Sequence, residues 1–196
     1  MQMRKAVPVL AGATAVGGAV FWAMRFSRLA AEKPDHSCQR REGRFEVRDY
    51  PSLTLASTGM EEGRREGAFM RLFNFIDRGN DRGRKIPMTA PVFIERTAEQ
   101  TEMSFVMPEQ ARDEGVPAPS DGGVKVHVRP PRRVAVYRYT GAGSVENEQR
   151  ALGALRGWME KEGLRPTGDP LVAYYDAPYV PPFLRRNEVM LGVALL

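Results

Sequence analysis

The stretch KIPMTAPV, residues 85–92, contains two prolines in the middle of the sequence, and they limit which secondary structure the chain can form there. Proline has no backbone N–H to donate, so inside a sheet it is confined to edges, strand starts and bulges. We therefore expect regular strand pairing to be broken at Pro87 and Pro91, either in an edge strand or where the chain crosses between strands. The stretch has none of the acid, base, nucleophile or ligand spacings of a catalytic motif.

Upstream of this stretch the sequence predicts two strands and a helix. Residues 45–50 alternate apolar and charged side chains, which is typical of a half-buried strand, and Pro51 separates them from a second strand over 53–58. Residues 68–76 have a helical period instead. Their apolar positions recur at i, i+3, i+4 and i+7, namely Phe69, Leu72, Phe73 and Ile76. From periodicity alone, this face is more often core than binding surface.

Downstream, alternation predicts further strands and the helical period returns once. The strands are expected over residues 101–107, 124–129, 134–139, 171–175 and 189–195. Residues 108–123 are rich in Pro, Gly and Asp and are expected to form a long loop. A helix over residues 145–161 carries its apolar side chains on one face: Leu152, Leu155, Trp158 and Met159. The order strand, helix, several strands thus occurs twice, which predicts an α+β fold with a mostly antiparallel sheet or barrel and two helices.

The first part of the chain is apolar enough to cross a membrane. Residues 6–24 contain no charged side chain and are flanked by Arg4, Lys5, Arg25 and Arg28. As a helix this length is roughly 28 Å, about one bilayer core. We predict an uncleaved membrane anchor within residues 1–26, over a cleaved signal peptide or a buried core helix, then a polar linker over 27–43 and a folded domain over 44–196. Because basic residues flank both ends of the predicted anchor, they do not determine its orientation in the membrane. We favour a folded domain on the extracytoplasmic side.

The composition limits the classes of molecule that the protein is expected to bind. The net charge of +5 comes from basic residues scattered among acids, without the stripe of Lys, Arg and aromatics that nucleic-acid binding requires, so we expect no nucleic-acid partner. Such a surface suits an anionic small molecule or anionic lipid, or it simply keeps the protein soluble. Cys38 is the only cysteine, which excludes an intrachain disulfide and a thiolate metal cluster.

The sequence offers few groups for catalysis or metal binding. It contains no GxSxG, HExxH, GxGxxG or phosphate-loop motif, so we predict no catalytic residues, no metal site and no enzymatic activity. Its two histidines are His36, in the expected linker, and His127, on the charged face of a strand, where solvation is expected rather than haem ligation. Glu188 follows two arginines and is predicted to form an ion pair that locks the last strand, with a proton-transfer role as the alternative.

Aromatic side chains cluster near the end of the chain, between prolines. They are Tyr174, Tyr175, Tyr179 and Phe183. Rigidly held tyrosines suit the rim of a ligand pocket, because they combine an apolar ring with a polar tip, but they also pack over the edge of a core. The residues leave both possibilities open.

Six sequence blocks, in the same order, resemble the SOUL family of haem-binding proteins. They are FEVRDYPSLTLAST (45–58), GAFMRLFNFIDRGN (67–80), KIPMTAPV (85–92), MSFVMP (103–108), VPAPSDGGVKV (116–126) and YYDAPYVPPFLRRNEVML (174–191). KIPMTAPV and RRNEV are the most specific, and the resemblance spans residues 44–193. At Arg78 the chain departs from the family, which more often has Gly there.

The resemblance implies a distorted antiparallel β-barrel with two helices in two pseudo-symmetric halves. It also implies a haem or other tetrapyrrole, bound non-covalently in an apolar cleft beside the first helix without an obligatory histidine ligand. Carried over by position, the binding residues are Phe69, Leu72, Phe73 and Ile76, with Arg71 as a propionate partner and Tyr179 and Phe183 from the loop before the last strand.

The expected function is therefore a membrane-anchored protein, held through residues 6–24, that buffers or delivers haem without chemistry. Two alternatives stay open at this point. One is an enzyme that opens the haem ring oxidatively. The other is a small-molecule effector-binding barrel, since related barrels with two helices serve bacterial regulators in that role.

Overall fold

The computed structural model describes residues 31–61 and 64–194. These residues form nine strands, three α-helices and one 3-10 turn. The strands are β1 (Ser37–Glu42), β2 (Phe45–Tyr50), β3 (Leu53–Gly59), β4 (Val92–Arg96), β5 (Thr101–Val106), β6 (Val124–Arg129), β7 (Arg132–Tyr139), β8 (Pro166–Tyr174) and β9 (Asn187–Val193). The helices are α1 (Arg65–Ile76), α2 (Glu109–Asp113) and α3 (Val145–Lys161), and the 3-10 turn is Pro182–Leu184.

The predicted membrane anchor over residues 1–26 lies outside the described residues. Within 31–61 and 64–194, no helix combines the length and the apolar character needed to cross a bilayer.

The nine strands form one antiparallel sheet in the order β1-β2-β7-β9-β8-β4-β5-β3-β6. The α+β class is therefore confirmed, whereas the prediction of a closed barrel is wrong. Closure would require the two edge strands, β1 and β6, to pair with each other, and they do not pair within the described residues. The sheet is left with β1 and β6 as its two edges.

The order of elements repeats around the centre of the sheet. In the first half, β3 is followed by α1, β4 and β5; in the second, β7 is followed by α3, β8 and β9. Each half places its second strand at the centre, where β4 pairs with β8. Both large helices pack on the same side of the sheet, which we call the helix face. The opposite side, the inner face, has its own apolar core, which includes Leu55, Phe93, Val136, Leu171 and Met190.

The stretch KIPMTAPV behaves as predicted at its prolines, because regular pairing resumes only at Val92. Before that point the chain makes single bridges, from Lys85 to Asp77 and from Thr89 to Glu32. The strand that follows, β4, lies between β5 and β8. The stretch is thus a crossing into the middle of the sheet, and the alternative of an edge strand is wrong.

The folded unit begins earlier than the sequence indicated. Residues 37–42, assigned to the polar linker, form β1, whose six side chains are all exposed and whose backbone pairs with β2. A strand whose side chains are all exposed lacks the apolar alternation that predicts a strand, so its sequence resembles a linker. Upstream, the carbonyl of Glu32 accepts a hydrogen bond from the N–H of Ala90 at 2.9 Å. The compact unit starts at Glu32 instead of 44.

Two smaller differences concern the helices. The predicted loop over 108–123 contains the short helix α2. In α1 the buried residues are Ala68, Leu72, Phe75 and Ile76, so the buried arc is rotated from the predicted one and Phe75 takes the core position expected for Phe73. Phe73 instead lies at the protein surface, with 37% of its area exposed.

Candidate functional site

Helix α1 presents a continuous apolar strip to solvent. Phe69, Met70 and Phe73 form this strip, which we call the α1 surface; Met70 is 44% and Phe73 is 37% exposed. The rings of Phe69 and Phe73 are stacked with centroids 6.2 Å apart, because a spacing of four residues places them on consecutive turns. Phe69 also contacts Phe105 of β5 edge-on at 5.4 Å, which fixes its orientation.

The sheet beneath this helix continues the apolar surface. Phe105 pairs with Val92, and Val92 pairs with Tyr174, so the three side chains stand side by side on the helix face. Val92 and Tyr174 are only partly buried where they pack against the core under α1. Arg65, one helical turn before Phe69, places its guanidinium 4.8 Å from the centroid of the Tyr174 ring.

A cluster of charged groups adjoins this surface. The carboxylate of Glu148, in the first turn of α3, is almost fully buried. Arg65 Nη2 donates to Glu148 Oε1 at 3.1 Å, and Arg96 Nη1 lies 2.5 Å from Glu148 Oε2. The phenol of Tyr174 donates to the same carboxylate. One carboxylate therefore faces two guanidinium groups, each about one-third exposed, and the cluster retains a net positive charge that solvent can reach.

The tyrosines of this cluster stay neutral over a wide pH range. Burial, followed by the hydrogen bond to Glu148, raises the pKa of Tyr174 above its usual value. Burial and the negative charge of Glu148 raise the pKa of Tyr139 to about 12. Both phenols can therefore act as hydrogen-bond donors at neutral pH.

Backbone from the segment before α3 closes against the cluster. Arg65 Nη1 donates to the carbonyl of Gly143 at 3.1 Å. A β-carbon on Gly143 would lie 2.7 Å from Cε1 of Tyr174 and 2.8 Å from Nη1 of Arg65, so only glycine allows this approach. Two residues earlier, the N–H of Gly141 donates to the carbonyl of Pro182 at 3.0 Å. This segment thus lies between Arg65 and the proline-rich loop that precedes β9.

The structure separates the α1 residues expected to bind haem into three groups. Phe69 and Phe73 form the α1 surface, together with Met70. Leu72 and Ile76 are buried in the core beneath α1. Arg71 lies on the other side of the helix, where its Nη1 donates to Thr58 Oγ1 at 3.0 Å. There it borders a cavity of about 130 Å³ that the α1 surface does not line.

The loop residues Tyr179 and Phe183 are 64% and 74% exposed. They flank the buried Val180, and Arg185 holds the loop because its Nε donates to the carbonyl of Val180 at 2.6 Å. The aromatic cluster of the sequence is therefore divided. Tyr174 belongs to the charged cluster, and Tyr175 donates to Glu188 Oε2 at 2.9 Å.

Glu188 is fully buried in an ion-pair network, in agreement with the ion pair predicted from the sequence. Arg48 donates to both of its oxygens, at 2.8 and 3.0 Å, and Arg186 donates to Oε1 at 2.6 Å. Burial by itself would raise the pKa of Glu188, but the hydrogen bonds and charges of Arg48 and Arg186 outweigh it and lower that pKa. The network joins β2 to β9 across the intervening β7.

Neither histidine occupies an apolar pocket suited to axial ligation. His127 is 42% exposed, and its Nε2 is hydrogen-bonded to Ser57 Oγ at 2.8 Å. The ring of His36 packs against Tyr50 at 5.1 Å, and burial, followed by the charge of Arg48, lowers the pKa of His36. Among the residues that the structure describes, no three His, Cys, Asp or Glu side chains are grouped to hold a metal ion.

Sequence reasoning missed Arg65, Arg96 and Glu148. Arg65 could have been predicted from the sequence, because it continues the four-residue spacing of Phe69 and Phe73 toward the start of α1. The burial of Glu148 could not be predicted, because this residue lies in a polar stretch, VENEQR, that is typical of an exposed first helical turn.

The chain belongs to the SOUL heme-binding protein family, whose model matches residues 31–192. This match covers most of the chain and includes β1. A search of curated proteins gave no match.

Solved structures share the fold at low identity. The C-terminal domain of EcmrR is 14% identical, with a TM-score of 0.60 over 78% of this chain and 98% of that one. A hydrolase from Listeria innocua is 13% identical, with a TM-score of 0.53 over 80% and 94%. EcmrR in a complex with DNA is 12% identical, with a TM-score of 0.59 over 92% and 65%. These likenesses concern the fold alone.

Proposed function

We propose that this protein binds haem, or another flat tetrapyrrole with carboxylate side chains, on the α1 surface, and that it buffers or delivers the ligand without changing it. The proposal rests on family membership and on one observation. The exposed aromatic strip of α1 ends at two guanidinium groups that share a single carboxylate. That combination matches a ligand with an apolar face and an anionic edge.

The apolar part of the surface suits a planar ring. Phe69 and Phe73 are stacked on consecutive turns, and Val92 and Tyr174 extend the surface across the sheet. Met70 contributes a flexible thioether that adapts to a ring edge. The cavity of about 130 Å³ beside Arg71 is smaller than the roughly 300–1,000 Å³ typical of enclosed ligand sites. Binding against an open surface therefore agrees better with the geometry than entry into that cavity.

The charged part suits carboxylates. Arg65 uses two of its nitrogens for Gly143, Glu148 and Tyr174, and Arg96 uses one for Glu148, so each keeps N–H groups free for a ligand. Glu148 holds both side chains in place, which reduces the conformational entropy lost on binding. We propose Arg65 and Arg96, in place of Arg71, as the partners of the propionates.

Ligation of the iron by a side chain is not needed for this mode of binding. Haem iron supplies redox and ligand-binding chemistry when the group is bound, and this chain's part is to stack on the ring, pair with its carboxylates and limit water on one face. No histidine adjoins the α1 surface among the residues whose contacts are described. This is why we propose a carrier and not a haem-modifying enzyme.

A recovery assay tests that role. Residues 32–196 contain all nine strands and the three helices, and they form one compact unit. Haem bound to this fragment is incubated with oxygen and a reductant, then transferred to apomyoglobin. A carrier returns the haem quantitatively, with the absorbance spectrum of intact haem. Loss of haem that depends on the protein, with appearance of a ring-opened pigment, contradicts the proposal.

We also propose, from the sequence of residues 6–24, that the protein is held at a membrane with its folded domain on the extracytoplasmic side. Fractionation of cells that express the full chain, followed by protease treatment of intact spheroplasts, tests both parts. Recovery of the full-length chain in the soluble fraction contradicts membrane attachment. Protection of the domain from protease in sealed spheroplasts contradicts the orientation.

A further inference from the structure

A second charged site lies on the inner face, away from α1. Residues 129–132 read RPPR, so two prolines separate the last residue of β6 from the first residue of β7. Arg129 shares its side of β6 with His127, and Arg132 shares its side of β7 with Val134 and Val136 of the inner-face core. Proline fixes its own φ, so this connection holds the two arginines in a defined relation.

Arg129 crosses the inner face to reach its partner. Its Nη2 donates to Glu95 of β4, although β5 and β3 lie between β4 and β6 in the sheet. The guanidinium lies 5.9 Å from the centroid of the Phe93 ring. Its other terminal nitrogen, Nη1, is buried and has no hydrogen-bond partner. A buried donor without a partner is costly, so something outside the protein is expected to satisfy it.

Arg132 adds a second positive charge without a second acid. It is partly buried, and within the described residues no carboxylate forms an ion pair with it. Burial, followed by the positive charge of Arg129, lowers the pKa of Arg132, whereas Glu95 and Tyr50 act in the opposite direction. Within the described residues, Glu95 is the one carboxylate that forms an ion pair with either guanidinium group. A water molecule would satisfy Nη1 of Arg129 but would leave this excess charge uncompensated.

We propose that Arg129 and Arg132 together bind a compact oxyanion, the carboxylate or phosphate group of a small molecule. Guanidinium groups pair with both anions through parallel hydrogen bonds. The site is independent of the proposed tetrapyrrole surface, because it lies on the opposite face of the sheet and shares no residue with it.

Thermal unfolding of the full-length protein in nonionic detergent tests the site. Phosphate or acetate replaces chloride at constant ionic strength and pH, so that general screening is unchanged. A ligand that binds only the folded state raises Tm with its concentration, and once that concentration exceeds the Kd the rise follows its logarithm. We expect this concentration-dependent rise with at least one of the two anions. A rise with phosphate alone identifies a phosphate site, a rise with acetate alone a carboxylate site, and a rise with both a general oxyanion site.

The neighbouring arginine provides a matched control. Arg133 lies on the helix face of the same strand, where it pairs with Asp49 at 2.7 Å. Arg132→Gln and Arg133→Gln remove the same charge from adjacent positions. We expect Arg132→Gln to weaken the apparent anion affinity at least tenfold and Arg133→Gln to leave it unchanged. Equal responses in the wild type and in Arg132→Gln, or no response to either anion in the wild type, overturn the proposal.

Discussion

The guanidinium of Arg65 lies 4.8 Å from the ring centroid of Tyr174, and this contact joins α1 of the first half to β8 of the second. Glu148 of α3 binds both side chains, so three elements meet at one carboxylate. The same arginine borders the exposed strip of Phe69 and Phe73. The boundary between the two halves is therefore also the charged end of the proposed haem surface.

Removal of the Arg65 charge is expected to weaken haem binding through the propionates. We expect Arg65→Gln to raise the Kd for haemin about tenfold, since a hydrogen bond to a charged group contributes about 1.5–3 kcal/mol and 1.4 kcal/mol equals a factor of ten. The comparison ligand is haemin dimethyl ester, which has no free carboxylate. Its Kd should be the same for wild type and variant. If Arg65→Gln weakens the ester as much as haemin, Arg65 acts on the ring or on the fold and not on the propionates.

The close approach of Gly143 predicts a local packing defect. Gly143→Ala places a β-carbon within 3 Å of both Tyr174 and Arg65, and we expect a loss of about 1–3 kcal/mol in the free energy of unfolding, typical of overpacking. Gly157→Ala is the control, because its β-carbon would meet nothing within 4 Å in the middle of α3. That change should stabilise the protein by about 0.5–1 kcal/mol. Urea unfolding of both variants measures the difference, and equal effects would show that Gly143 is not constrained.

The buried network at Glu188 predicts a strong dependence on one carboxylate. Glu188→Gln leaves Arg48 buried beside reduced negative charge, and we expect a loss of about 3–5 kcal/mol in stability at neutral pH. Glu146→Gln is the control: this exposed carboxylate pairs with Arg150 on the surface of α3, where such pairs contribute about 0–1 kcal/mol.

The same residue sets a pH dependence whose sign follows from its pKa. Because the folded-state pKa of Glu188 is lowered from 4.5, its stabilising contribution is complete above about pH 4.5 and is lost as the pH falls below that value. The Tm of the wild type should therefore decrease more steeply on acidification than the Tm of Glu188→Gln. Parallel Tm curves for the two proteins between pH 6 and pH 3 would contradict this assignment.

Arg78 adopts a backbone conformation that favours glycine. Its φ is +78°, two residues after the end of α1, and a β-carbon makes this region unfavourable by about 1–2 kcal/mol. Arg78→Gly should therefore raise the free energy of unfolding by about 1 kcal/mol. Arg78→Ala removes the same charge and retains the strain, so its stability should stay near that of the wild type. Equal stabilisation by both substitutions would show that charge, not backbone strain, is the cause.

The elements with a clear period were predictable from the sequence. The alternation of β2 and β6 and the period of α3 gave bounds that the structure reproduces: Phe45–Tyr50, Val124–Arg129 and Val145–Lys161. The strand β1 was not predictable, because its six side chains are all exposed and its sequence therefore lacks the apolar alternation typical of a strand. The barrel expectation was wrong because the two edge strands, β1 and β6, do not pair with each other within the described residues.

The site was only partly predictable. Periodicity predicted that α1 has an apolar face but did not predict which residues of that face are buried. Phe73 and Phe75 are both apolar, and only the tertiary packing places Phe75 in the core and Phe73 at the surface. Resemblance assigned a propionate partner to α1 and selected Arg71, which is turned toward Thr58. Arg96 and Glu148 come together with Arg65 only through the pairing of the two halves, a contact between distant segments that no local pattern records.

The most direct test of the central claim is a haemin titration of residues 32–196, followed by the Soret band and by quenching of Trp158. We predict saturable binding of one haemin per chain. Phe73→Asp should weaken it at least about tenfold, because the carboxylate would be buried unpaired against the ring. Val128→Asp, the same kind of change at an exposed residue of β6, and His127→Ala should bind as the wild type does. Absence of saturable binding, or equal binding by wild type and Phe73→Asp, would contradict haem binding on the α1 surface.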